Sequence, residues 1–178
     1  MKKIIMIVML MGVIVGANAQ DAITKFFSKY QNDESFSQVT VSSKMFSLFT
    51  NMDAETAEDK EVLEAISKLK GLRILAKEDA RNSRELYAEA FKLIPVKDYE
   101  ELLSVRDKDK DMKFLIKESG GKISELLMIM GGTTNFMVMS LYGEIDLKQI
   151  SHIGKKMNVE GLENLQKLDK KPAPTTGK

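Results

Sequence analysis

Four methionines stand close together in the second half of the chain: Met128, Met130, Met137 and Met139. Each pair is spaced i, i+2, and a hairpin would set the two pairs side by side. Thioether sulfur is a soft ligand that suits Cu(I). The same spacing describes adaptable core packing, because methionine is unbranched and polarizable. No histidine or cysteine lies beside these residues, so packing is the expectation. A second group, Asp107, Asp109, Asp111 and Glu118, falls in the register of a calcium loop. That loop demands glycine at its sixth position. Met112 stands there instead, and Lys108 and Lys110 separate the acids, which reads as a solvated turn. His152 is the only histidine, on a helical stretch beside Ile150 and Ile153. The chain has no cysteine nucleophile, no G-x-S-x-G elbow, no H-E-x-x-H and no Walker or Rossmann glycine pattern. Acid pairs such as Glu78-Asp79 and Glu100-Glu101 make a glycosidase only at a defined separation in a cleft. With no tryptophan and four tyrosines, stacking platforms for sugars are scarce. No catalytic residue, metal or cofactor is assigned.

The elements that must position these residues follow from periodicity. Lys110 to Gly143 holds three strand-like runs separated by Gly120-Gly121 and Gly131-Gly132. Each glycine pair reads as a tight hairpin turn, since a type I′ turn needs positive φ at both central residues. The runs Ile123–Met130 and Thr134–Tyr142 are apolar on both faces. A sheet with one wet face should alternate cleanly. Helices must therefore cover one face, with a loop or a partner on the other. An uncovered face would be a contact surface, and its candidate residues are Met128, Met130, Met137, Met139 and Leu141.

Upstream, Ile23, Phe26, Phe27 and Tyr30 have helical spacing, with Asp21 as N-cap. Val39 and Val41 alternate with polar residues as a short strand. Ser43 caps a helical piece, and Ala57–Lys70 forms another that Gly71 stops. Leu72–Lys77 reads as a strand; if it lies parallel to the first, the crossover is right-handed. Asn82 or Ser83 caps a helix that ends at Pro95. Tyr99–Arg106 opens a four-strand meander, and Glu144–Met157 is a helix after it. A further short helix is expected within Val159–Leu168. The expected fold is α+β: a mostly antiparallel sheet of about six strands, with one helical crossover and then the meander, packed by helices.

The first residues form a leader pattern. Lys2 and Lys3 precede the apolar run Ile4–Val15, and Ala17-Asn18-Ala19 fits the small-x-small cleavage signature, leaving Gln20 or Asp21 first. The run is short of the roughly 20 residues of a membrane span. No cysteine stands at the junction, so a lipoprotein is excluded. The expected organisation is a signal peptide over 1–19, one domain over 20–168 and a disordered tail over 169–178. Cleavage would remove Lys2 and Lys3 from the 27 basic residues, leaving 25 against 26 acidic ones. That balance lacks the basic footprint of a nucleic-acid binder, and no later run is long enough to span a bilayer. The absence of cysteine means that the core alone must hold an exported fold.

The segments FFSKY, VTVSSKMFSLF, LKGLRILAKED and LLSVRDKDKDMKFLIKESGGKISELLMIMGGTTNFMVMSLYGEIDLKQISHI, in that order, resemble the domain of unknown function 4252 family. The resemblance covers nearly all of the chain after the leader. It rests on segment order and character, not on a catalytic motif. It implies an exported protein of the Gram-negative envelope, connected with envelope signalling, and carries no functional residues over.

The expectation from sequence is a non-enzymatic binding module, periplasmic or secreted, with an envelope protein as partner. Two alternatives stand beside it: a small carboxylate-based hydrolase or lyase, which needs two acids facing each other in a pocket, and a carrier of an apolar ligand between sheet and helices.

Overall fold

The computed structural model describes residues 18–50 and 55–150. The chain runs α1 (Asn18–Tyr30), β1 (Ser37–Ser42), α2 (Ser43–Phe49), α3 (Ala57–Ser67), β2 (Leu69–Lys77), α4 (Ser83–Leu93), a 3-10 turn (Val96–Asp98), β3 (Glu100–Arg106), β4 (Lys110–Ser119), β5 (Lys122–Gly132) and β6 (Phe136–Ile145). The fold is α+β. Six strands form one sheet in the order β1-β2-β6-β5-β4-β3, with every neighbouring pair antiparallel. The meander β3 to β6 returns along the sheet until β6 pairs with β2, so the second and the last strands meet near its middle. The predicted cleavage point falls in the first turn of α1. Ala17, His152, the expected helix over 159–168 and the expected tail lie outside the described residues.

Both sheet faces are apolar because both are covered. On one face Leu75, Leu115, Leu127, Ile129, Phe136 and Val138 meet the buried stripe of α1 (Ile23, Phe26, Phe27, Tyr30) and of α4 (Leu86, Ala90). On the other, Met112, Phe114, Leu126, Met128, Met130, Met139 and Leu141 form a second cluster with Phe46 of α2, Ile66 of α3, Leu147 and Ile150. Alternation of side chains across the pleat feeds Leu127 and Ile129 of β5 to the first cluster and Leu126, Met128 and Met130 to the second, while Ile123, before the register shift, also joins the second.

Several local expectations are corrected. β1 and β2 pair antiparallel, so no parallel crossover exists between them; α2 and α3 instead fold back over the methionine face. α2 is capped by Ser42, whose hydroxyl accepts from the Met45 N–H, rather than by Ser43. Asp21 lies inside α1 rather than ahead of it. α3 starts from a capping box between Thr56 and Asp59 and ends at Ser67, before Gly71. Gly71 belongs to β2, where a Cβ would fall 2.1 Å from the Tyr142 ring; a strand-facing tyrosine, not a helix stop, requires the glycine. Glu144 and Ile145 complete β6, and the following helical turn opens at Asp146, whose carboxylate accepts from the Lys148 and Gln149 N–H groups.

Gly120 and Gly121 have φ of 62° and 76°, as a type I′ hairpin requires. Gly131 and Gly132 do not: they end β5, and the turn is made by Thr133, Thr134 and Asn135. A Cβ on Gly131 would sit 2.6 Å from Tyr87 Cβ of α4. The pair is needed for close approach, not for turning. Ser83 fixes the same contact, with its Oγ 2.7 Å from the carbonyl oxygens of both Gly132 and Asn135. Asn82 occupies the N-cap position of α4 without a side-chain cap bond.

Candidate interaction surface

The residue groups that suggested chemistry are either buried or engaged. Met128 pairs across strands with Met139, and Met130 with Met137, while Met112 joins from β4 opposite Met130. Met128, Met130, Met139 and Leu141 are 0–5% exposed, and Met137 is half-buried. The methionines do cluster, as core. As a contact face they are closed by the elements packed on them, so an incoming partner does not reach them.

The acids separate. The Asp107 carboxylate accepts from the Asp109 and Lys110 N–H groups at 2.8 Å, which turns the chain and holds its pKa below the usual range. Asp111 pairs with Arg84 and Arg106, and Glu118 lies at the far end of β4. Glu101 pairs with Lys113 at 2.5 Å, on the opposite side of β3 from Glu100. Among the described residues no three acids or histidines are grouped to hold a metal.

A carboxylate that sequence reasoning passed over is the buried one, Glu125. Its Oε2 accepts from the Tyr99 hydroxyl at 2.8 Å and its Oε1 from Ser140 at 2.7 Å. Glu125 and Tyr99 are each 9% exposed and Ser140 is 2% exposed. Burial, reinforced by the facing carboxylate, pushes the Tyr99 phenol far above its ordinary value. A phenol held neutral and a carboxylate filled by two hydroxyls form a clip between β5, β6 and the approach to β3, not a reactive pair. Tyr99→Phe should cost about 1.5–3 kcal/mol by urea denaturation, the range for a hydrogen bond to a charged group. Burial raises Tyr30 and Tyr87 as well. A raised folded-state pKa gives stability that is whole below the unfolded phenol value of about 10 and is lost as pH climbs past it. Stability should therefore fall above pH ~10, and Tyr99→Phe should flatten that fall. The same alkaline slope in both proteins would refute the assignment.

Two shallow hollows adjoin at the end of the sheet where β4 turns into β5. One, of about 730 Å³, is lined by Lys44, Lys68, Lys70 and Lys122 among serines. The other, of about 390 Å³, includes Glu118, Glu144 and Asp146. These are the acids the hydrolase alternative would use. Glu144 is paired with Lys122 at 2.7 Å, which lowers its pKa, whereas a general acid needs its pKa raised. Asp146 caps the helical turn after β6. Lys68 is paired with Glu64.

The exposed apolar surface lies elsewhere. Among the described residues, five large apolar side chains are exposed: Val39 47%, Met45 45%, Leu48 53%, Phe49 37% and Leu93 46%. Four of these belong to β1 and α2. Phe46 anchors α2 in the second core cluster, which turns Met45, Leu48 and Phe49 outward. β1 is an edge strand, and its sequence SQVTVS contains no charge. The opposite edge, β3, carries Glu100, Glu101 and Arg106. Charge on an edge is the ordinary guard against strand addition, so among the described residues one edge is guarded and the other is open. From sequence Val39 and Val41 read only as a short strand, because strand order is not visible in a single chain. No described helix is long and apolar enough to cross a membrane.

Comparison with curated proteins and with solved structures gives no match. A family model described as a domain of unknown function matches residues 30–153, a span that takes in the whole sheet, α2, α3 and α4. The chain therefore belongs to the domain of unknown function 4252 family.

Proposed function

We propose that this chain is an exported, non-enzymatic binding module of the bacterial envelope that docks another polypeptide on β1 and α2. The leader pattern of residues 1–19 supports export to the periplasm or beyond. The observation that carries the docking role is the open edge: an uncharged outer strand continuous with a helix that presents Met45, Leu48 and Phe49. An added strand would gain main-chain hydrogen bonds from β1, and the α2 side chains would supply apolar contact. The engaged state of the acids, and of Glu125 above all, supports binding over catalysis.

The test uses the tagged chain as bait in an envelope extract, beside the double variant Val39→Lys/Leu48→Lys and the control Leu93→Lys. A partner that is held by the wild type and the control but lost from the double variant is the expected result. Equal retention by all three would place docking elsewhere.

A further inference from the structure

We propose that the polypeptide docked on β1 is a second copy of this chain, paired antiparallel to it with Thr40 opposite Thr40. The proposal rests on the docking role of β1 and deepens it by naming the occupant.

The argument is one of register. β1 pairs on its inner side with β2, where Val39 opposes Ile74, Thr40 opposes Arg73 and Val41 opposes Leu72. Among the described residues its outer side has no strand. The sequence around Thr40 is nearly palindromic: Gln38-Val39-Thr40-Val41-Ser42. A two-fold axis through Thr40 sets Val39 of each copy opposite Val41 of the other, and Gln38 opposite Ser42. β-Branched and Thr–Thr pairs are favoured cross-strand combinations.

Side-chain alternation then decides which face meets which. Val39 and Val41 stand on the methionine side of the sheet with Leu72 and Ile74, and Thr40 on the side of α1 and α4. A one-residue slip would turn one copy over, putting the valines of one chain on the side of the threonine of the other. Centring on Thr40 keeps the methionine faces of both copies on one side. It also keeps both α2 helices there, beside the shared axis, with the exposed Met45, Leu48 and Phe49 flanking the new strand pair. A single patch that answers itself is what an isologous dimer requires. No charge on β1 repels its own copy, whereas β3 bears two glutamates and an arginine.

Two measurements on the full chain test the pairing. Sedimentation equilibrium over a concentration series should show a monomer–dimer equilibrium. Val39→Lys should raise its dissociation constant at least tenfold without lowering the denaturation midpoint measured at concentrations where both proteins are monomeric. The absence of native cysteine makes the second measurement clean. Directly opposed residues in an antiparallel pair have Cα atoms about 4.5–5.5 Å apart, within the 4.4–6.8 Å or so that a disulfide spans. Under mild oxidation Thr40→Cys should cross-link to a dimer at least tenfold faster than Ser104→Cys, an exposed position on the guarded edge. A monomer at all concentrations, or equal cross-linking at the two positions, overturns the inference. If the chain is monomeric but Val39→Lys/Leu48→Lys still loses an envelope partner, the docking role stands with a different occupant. If the variants change neither, both fail.

Discussion

Phe136→Ala should lower the stability of the fold by about 3–5 kcal/mol, the range for removing a buried phenylalanine, read as a shift of the urea midpoint at unchanged slope. Phe136 is 1% exposed and stands at the start of β6, opposite Lys77 on one side and Gly131 on the other. Its ring centroid lies 6.3 Å from that of Phe26 and 6.5 Å from that of Phe36, both edge-on. Phe26 in turn meets Tyr30 at 5.4 Å, and Tyr30 meets Phe36 at 4.5 Å. One ring from the sheet thus holds α1 and the loop that leads into β1. Deleting it leaves a cavity that these rings cannot close, because Phe26 and Phe36 are both still held by Tyr30. Loss should reach α1 first, so amide exchange in α1 should quicken more than in β5. A midpoint shift under about 1 kcal/mol would show that the cluster re-packs, as adaptable sites do.

Gly143→Ala is expected to cost about 3 kcal/mol or more, from strain at a special backbone conformation plus a clash that cannot relax. Gly143 has φ of 141°, and a Cβ there would lie 2.6 Å from the Lys68 carbonyl oxygen and 2.8 Å from Leu69 Cα and Lys70 N. All three atoms are backbone, so no side-chain rotation relieves them. The residue opposes Leu69 where the β2–β6 register slips, and the next amide, Glu144 N–H, donates to the Lys68 carbonyl at 3.1 Å. Gly121 separates strain from clash. It too has positive φ, 76°, but a Cβ there meets nothing within 4 Å. Gly121→Ala should cost only the left-handed penalty of about 1–2 kcal/mol. Equal losses at the two positions would remove the clash from the account.

The glycines show where a single sequence is readable and where it is not. Gly120-Gly121 is a local device: two polar-flanked glycines between strand runs need only their own φ angles to make a turn, and both have positive φ. Gly131-Gly132 looks the same in sequence. Its cause is Tyr87, some forty positions earlier, whose Cβ occupies the space a side chain at Gly131 would need. Gly71 looks like a helix stop after Lys70, yet its cause is the Tyr142 ring in a strand that pairs with β2 only after the chain has crossed the sheet and returned. In each case the type of residue is local information and the reason for it is a distant neighbour. Glu125 is the same problem in polar form: within an apolar run it looks like a solvent-facing residue, and only Tyr99 and Ser140 explain its burial.

The helical stripe of α1, the alternation of β1, the meander from β3 to β6 and the two apolar faces of β5 and β6 were set by the sequence itself. Each depends on period and turn chemistry over fewer than about a dozen residues, the range in which side-chain direction follows directly from backbone geometry. Strand order was decided by tertiary structure alone. Pairing β6 with β2 makes the methionine strands the centre of the sheet and leaves β1 outermost. That placement turned the methionines from a contact face into core and, among the described residues, left Val39, Met45, Leu48 and Phe49 exposed together on β1 and α2. Long-range pairing is chosen by the burial of whole faces against one another, a sum over all six strands, and no single segment contains it.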